Sequence, residues 1–443
     1  MLATIATLLC VLAISRETGP AILAVVLCLS LSRSQLDRHR RGRLEAFLVL
    51  PAVGLAAAGV GMLLHRFPIV GALVFTSGMF VSIWLRRFGP MARRIGSLIA
   101  LPFVTLLMVP YMPPRHPGLL PAWLLPIVVG WLALCWVHLV HALAQALGLL
   151  PPLSHADVVA APAPESALRP IASTRMAIQM AVALAVSFAV GYLAFPQHWG
   201  WIVLTAFIVN SGNRGRLDVA HKSVLRVLGA AAGTLAALLL GVHVGLDGRM
   251  QVVLIFVAAF FGLWLRPLGY GWWALFITVA LALLQNLAGV PAARVLWPRL
   301  EEIVVGAVIG VAAAWFVLPI RSTGVLRRRM ADALAALAAA LGPAPTGKPD
   351  AFFVALHAVE QVAPAFRATR HIAQRVRPER PADWIETLIH CREPAGKLIE
   401  QGSAPPNVQR ALAQARRALR EPAQILPALQ QLHACLHEAA FGA

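Results

Sequence analysis

Apolar runs that approach or reach the length needed to span lipid fill most of this chain, and nearly all of its charge lies between them. A bilayer core of about 30 Å takes roughly 20 predominantly apolar residues per helix. On that measure candidate spans fall at 2–15, 19–32, 46–64, 68–85, 95–111 and 122–148. A second set falls at 176–195, 199–213, 223–243, 249–265, 271–287 and 299–320. Hydrophobic residues make up 59% of the chain and charged ones 13%, with a mean hydropathy of +0.74, values that a water-soluble enzyme hardly tolerates. The expectation is an all-α polytopic membrane protein, since a helix satisfies its own backbone polar groups in hydrocarbon.

The two sets of spans repeat one another. Ser32-Arg33-Ser34-Gln35-Leu36-Asp37 returns as Asn213-Arg214-Gly215-Arg216-Leu217-Asp218, and Ser82-Ile83-Trp84-Leu85-Arg86-Arg87-Phe88-Gly89 returns as Gly262-Leu263-Trp264-Leu265-Arg266-Pro267-Leu268-Gly269. Six spans per half bring the chain back to its starting side, so the halves are expected to be parallel six-helix repeats, about 12 transmembrane helices in all. The expected organisation is a first repeat at 1–150, a linker at 151–170, a second repeat at 171–320 and a helical domain at 321–443. The linker is rich in Pro and Ala. The last domain mixes apolar and charged residues at helical spacing over Asp332–Leu341, Ala351–Phe366, Asp383–Glu400, Asn407–Arg420 and Ala423–Ala440.

Charge sets the orientation. Arg33 to Arg43, Arg86 to Arg94, Arg214 to Arg226 and Arg321 to Arg329 form basic clusters on one side, whereas the alternate loops carry mostly single basic residues such as Arg66, Arg115 and Arg249. Positive residues stay inside, which places both termini and the C-terminal bundle in the cytosol. The net charge of +19 then belongs to topology and lipid headgroups rather than to nucleic acid. Trp199, Trp201 and Trp297 fall near one interface and Trp264, Trp272 and Trp273 near the other, as aromatic belts would.

Several chemistries find no pattern. The cysteines, at 10, 28, 135, 391 and 435, have no metal or redox spacing. His138 and His141 share a helix face but lack further ligands, and no phosphate-binding loop is present. No nucleophile, base and acid gather on one side. The expectation is a protein without cofactor or metal and not an enzyme.

The second span of each half is too short, at 19–32 and 199–213. Short spans at matching positions of two repeats point to a transporter's binding site, because an interrupted helix frees backbone groups to face ligand or water. The later one carries Thr205, Asn210 and Asn213, followed by Arg214. A helix that simply ends early is the plainer alternative. Asp218, Lys222 and Arg226 follow one turn apart, so Asp218 can pair with Lys222 and leave Arg226 for an anion. The candidate substrate residues are therefore Thr205, Asn210, Asn213, Arg214 and Arg226. The candidates for proton coupling or salt bridging are Asp218, Lys222 and the acidic pair Glu301 and Glu302. Gly229-x-x-x-Gly233 and Gly306-x-x-x-Gly310 read as close helix contacts.

Trp201-x-x-Leu204-Thr205-Ala206, a polar loop, then Arg226-x-x-Gly229-x-x-x-Gly233-Thr234 resembles the signature of the fusaric acid resistance (FUSC) family, which includes bacterial aromatic acid exporters and is related to plant malate channels. The resemblance is clearest over 176–320 and faint over the first half. Ala230 departs from the Thr common in the family, and the linker is shorter than the soluble insertion of the large exporters. The resemblance implies multi-pass residence in a bacterial inner membrane and efflux of a small organic anion, an aromatic carboxylate, often with a periplasmic adaptor protein. Drive by the ion gradient is the expectation. A passive organic-anion channel and a membrane-anchored scaffold that recruits a partner through its cytosolic bundle remain alternatives; membrane lipid is a partner in each, and a homo-oligomer is compatible with all.

Reporter fusions at Pro90 and Ala443 are expected to give cytosolic signals and fusions at His116 and Asp247 periplasmic ones. A periplasmic Ala443 would overturn the even number of crossings.

Overall fold

The computed structural model describes residues 2–15, 18–33, 40–108, 121, 124–148, 172–243, 248–287, 292–342, 350–370, 380–402 and 404–442. The linker expected at 151–170 and residues 34–37 of the first duplicated motif lie outside these. Among the described residues every regular element is a helix. Up to Phe316 these are α1 (Leu2–Ile14), α2 (Thr18–Arg33), α3 (Arg40–Arg66), α4 (Pro68–Trp84), α5 (Pro90–Met108), α6 (Leu125–Ala146), α7 (Ala172–Ala194), α8 (Trp199–Asn210), α9 (Arg216–His243), α10 (Gly248–Trp264), α11 (Tyr270–Leu287) and α12 (Ala292–Phe316). Then follow α13 (Ser322–Ala340), α14 (Ala351–Glu360), α15 (Ala363–Ala368), α16 (Pro381–His390), α17 (Arg392–Gln401), α18 (Pro406–Ala418) and α19 (Pro422–Phe441).

Five of the described helical stretches are long and apolar enough to cross a membrane: Phe47–Arg66, Pro68–Phe88, Leu125–Ala146, Ala172–Ala194 and Arg216–Leu240. Large apolar side chains such as Leu73, Leu193, Leu228, Leu235, Leu239 and Val308 face outward. So much exposed hydrocarbon is stable only against lipid, and the chain is a membrane protein.

The chain forms two compact units: a larger one of Met1–Ser211 with Lys222–Leu318, and a smaller one of Gly212–His221 with Pro319–Ala443. In the larger unit α1, α2 and α6 pack pairwise, and so do α7, α8 and α12; α4 lies against α5 and α10 against α11. The second duplicated motif adopts one local form twice. Leu85–Phe88 and Arg266–Leu268 are single 3₁₀ turns, each joining one helix of such a pair to the next. Gly89, at φ 106°, ends the first turn in a conformation that suits glycine.

Glycines bring helix backbones together. A Cβ at Gly229 would lie 2.6 Å from the Gly271 carbonyl oxygen, and one at Gly233 would lie 2.5 Å from that of Leu275. A Cβ at Gly306 would meet the Ile202 carbonyl oxygen at 2.5 Å, and one at Gly310 the Val209 side chain at 2.4 Å. Contacts advance together along both partners, so α9 runs parallel to α11 and α8 parallel to α12. The far end of α12 is held by Gln179, whose Nε2 donates to the Val317 carbonyl at 2.9 Å.

The smaller unit has its own core, with Leu334, Phe352, Trp384, Ile385, Leu412 and Leu432 among its buried residues. Among the described residues seven helices stand where five amphipathic segments were expected, because proline divides two of them. Pro364 cannot donate to the Glu360 carbonyl and Pro394 cannot donate to that of His390, so α14 and α16 stop there. Truncating Trp384 to Ala should cost about 3–5 kcal/mol. Burial pushes the Cys391 thiol up to about 12, which keeps it protonated.

His433 faces His390 and His437, with ring centroids 6.2 Å and 6.1 Å away. Burial, and then those two imidazoles, hold it below the ordinary value of 6.5. The folded state therefore binds fewer protons there than the unfolded state. The associated stability is present above pH 6.5 and is lost as pH falls from there through the depressed folded value. His433→Gln is expected to flatten the acid side of the thermal-stability profile; a profile unchanged below pH 6.5 would contradict the assignment.

Candidate functional site

Buried polar side chains are scattered through the larger unit, Ser82, Gln179, Gln251 and Thr278 among them, and α8 adds Thr205 and Asn210. At 12 residues, α8 is about 18 Å long, well short of a bilayer core of about 30 Å. Trp201 through Ala206 are buried, as are Val209 and Asn210. No membrane-facing stripe is needed, which is why its sequence is apolar all round. Trp201, expected as an interface anchor, is instead enclosed, whereas Trp264, Trp272 and Trp297 are exposed. The reason is the approach of α12, whose Arg299 guanidinium lies 3.8 Å from the centre of the Trp201 ring. A desolvated cation over indole is worth about 2 kcal/mol or more.

Among the described residues of the larger unit, the buried charged side chains are Arg226, Arg299 and Glu302, exposed by 2%, 2% and 1%. Arg226 comes from α9, one turn before the glycines that bring α9 against α11. There its guanidinium lies beside the Tyr270 hydroxyl without a formed hydrogen bond, and its Nε has no partner. Arg299 is within electrostatic range of both Arg226 and Glu302. Glu302 places Oε1 3.5 Å from Nδ1 of His198, the residue preceding α8, while its Oε2 has no hydrogen-bond partner. Glu301 points outward and is exposed, so the acidic pair is divided between two environments.

Thr205 and Asn210 line the α8 face toward α12. The Thr205 Oγ1 and the Asn210 Oδ1 are buried without partners, while the Asn210 amide donates to the Ala206 and Gly310 carbonyls at 3.0 and 3.3 Å. Lys222 donates to the Ser211 carbonyl at 3.4 Å, which ties the start of α9 to the end of α8.

The remaining predicted residues belong to the smaller unit. Asn213 Oδ1 accepts the Gly215 N–H at 2.6 Å, and Asp218 Oδ2 accepts the Arg214 N–H at 3.1 Å. The Arg214 guanidinium donates to the Gln361 carbonyl at 2.8 Å. The Leu217 N–H reaches the Ser322 Oγ at 3.0 Å and the Arg216 N–H the Ile320 carbonyl at 3.1 Å. Nearby, Arg329 donates to the Ala358 carbonyl. Burial, with Arg214 acting in the same sense, lowers the Arg329 guanidinium, against the opposing charges of Asp218 and Asp332. Asn213, Arg214 and Asp218 thus fasten a loop of the smaller unit.

His138 and His141 each place Nδ1 2.7 Å from the carbonyl one turn back. Among the described residues no group of three or more His, Cys, Asp or Glu side chains is arranged to hold a metal ion.

The larger unit is thus a set of membrane helices that includes one short, buried helix and buries Arg226, Arg299 and Glu302. Residues 180–313 match the family model described as fusaric acid resistance protein-like, which suggests a membrane transport or resistance role. The match spans α8, α9 and α12, and with them Thr205, Asn210, Arg226, Arg299 and Glu302. No curated protein matches the chain.

Gly212 and Gly215 offer a test of the fastened loop. Both have positive φ, 63° and 117°, but nothing lies within 4 Å of a Cβ at Gly212, whereas one at Gly215 would meet Ser322 Oγ at 2.6 Å. Gly212→Ala should cost about 1 kcal/mol and Gly215→Ala at least about 2 kcal/mol more, read as thermal stability of the purified protein. Equal losses would mean that the Ser322 contact is slack.

Proposed function

We propose that this protein is a bacterial inner-membrane exporter of small aromatic carboxylates, driven by the ion gradient. It crosses the membrane as two parallel six-helix repeats, with both termini and the Pro319–Ala443 unit in the cytosol. The recurring helix pairs and the paired 3₁₀ turns support the duplication. The basic loops support the orientation.

One observation carries the functional reading. Two guanidiniums and one carboxylate are buried in the larger unit among the described residues, so with Glu302 ionised these three side chains together carry one net positive charge. An isolated charge is costly in low dielectric, and an anion relieves it. Arg226 presents an unpartnered Nε, and Arg299 is backed by an indole. Guanidinium binds carboxylate through two parallel hydrogen bonds, and the Trp201 ring supplies an aromatic surface beside one of them. The unpartnered oxygens of Thr205 and Asn210 give the cargo or its water further polar partners.

Arg226→Lys keeps the charge but loses the planar fork. Efflux from vesicles should fall about 10-fold or more, and about 100-fold in Arg226→Gln, at normal membrane abundance. Wild-type flux in Arg226→Gln would remove the anion role. Flux that persists after a protonophore collapses the gradient would make the protein a passive channel for the same anions.

A further inference from the structure

A buried carboxyl group that faces the cargo's counter-ion at one end and a partly exposed imidazole at the other is placed to take up a proton as an anion binds. Glu302 follows Arg299 by three residues on α12, so the two side chains share a helix face. It is 1% exposed, and its Oε1 lies 3.5 Å from the Nδ1 of His198, which is 41% exposed. Its other oxygen, Oε2, has no hydrogen-bond partner. Glu301, the next carboxylate along, is exposed and has no need of such a path.

Among the described residues the surroundings leave His198 as the group that can deliver a proton. From α12 itself, Arg299 and Glu301 are the nearest charges. α8 contains no titratable residue between Trp199 and Asn210. On α7, Arg175 is bound to the Leu318 carbonyl at 3.1 Å, by the far end of α12, and the Tyr192 hydroxyl donates to the Pro68 carbonyl at 3.1 Å. α11 offers Tyr270, which lies beside Arg226 of α9. Arginine stays charged and tyrosine protonated over the physiological range.

We infer that Glu302 is an internal stand-in for the transported anion: it balances Arg299 while the site is empty, and it is neutralised by a proton arriving through His198 when a carboxylate takes its place. The inference rests on the anion-transport reading above. The step is a simple exchange. The His198 imidazolium gives its Nδ1 proton to Glu302 Oε1 and recovers one from water, and the arriving carboxylate restores the charge that Glu302 loses. With one negative charge exchanged for another, the interior keeps the same net charge, which is why the two events are linked.

The test uses the purified full-length protein with benzoate as the probe. Benzoate affinity should rise as pH falls from about 8 to about 5.5, by at most about tenfold per pH unit. Glu302→Gln should bind benzoate at every pH at least as tightly as the wild type does at the acid end, with a flat profile. His198→Phe should slow proton uptake after rapid mixing with benzoate. The unaltered protein supplies an independent check: benzoate binding should take up close to one proton per site, read with a pH-indicator dye. No proton uptake, or an unchanged pH profile in Glu302→Gln, would overturn this inference while leaving anion binding intact. Failure of the wild type to bind benzoate at any pH would instead sink the anion reading and this one with it.

Discussion

The backbone of α12 can lie against α8 because two residues on its contact face, Gly306 and Gly310, have no side chain. With hydrocarbon outside as well as inside, helices in a bilayer gain little from burying apolar surface against one another, so close van der Waals contact has to hold them. Two glycines one turn apart supply it. The same approach places Arg299 over Trp201 and sets Glu302 opposite His198. Bulk at Gly306 would therefore lift the charged residues of α12 away from the α8 face as well as weakening the seam.

Electrostatics then acts on a site that packing has fixed. Arg226 and Arg299 repel each other where there is little water to screen them, while Glu302 and the Trp201 indole act on Arg299 in the opposite sense. α8 adds unpartnered polar atoms to the same region. A helix that crossed the bilayer completely would have no reason to end on Asn210; one that stops at about 18 Å leaves carbonyl groups and a polar tip within the unit.

Much of this was visible in the sequence because it depends on spacing. Glycines four apart share a helix face in any context, and a helix too short to span stands out by counting. What stayed hidden depends on neighbours distant in the chain. Arg299 reads as the edge of an apolar run, since Pro298 and the polar residues before it look like a loop; α12 in fact begins at Ala292 and carries Pro298 inside it. Proline is tolerated there because packed neighbours can satisfy the freed carbonyl. Trp201 resembles a belt residue until α12 is known to cover it. Asn213 and Arg214 look like the polar tail of α8, yet the helix ends at Asn210; Asn213 accepts from Gly215, and the Arg214 guanidinium finds Gln361, 147 residues further on.

That separation bears on how the protein is made. Ser322 and Gln361 follow the residues they hold, Leu217 and Arg214, by 105 and 147 positions. The Gly212–His221 segment emerges from the ribosome well before either partner exists and cannot reach its final form until synthesis has passed Gln361. The closing stretch of the polypeptide thus completes a structure begun far upstream, and a chain cut short before Gln361 would keep α8 and α9 while leaving the turn between them unfinished.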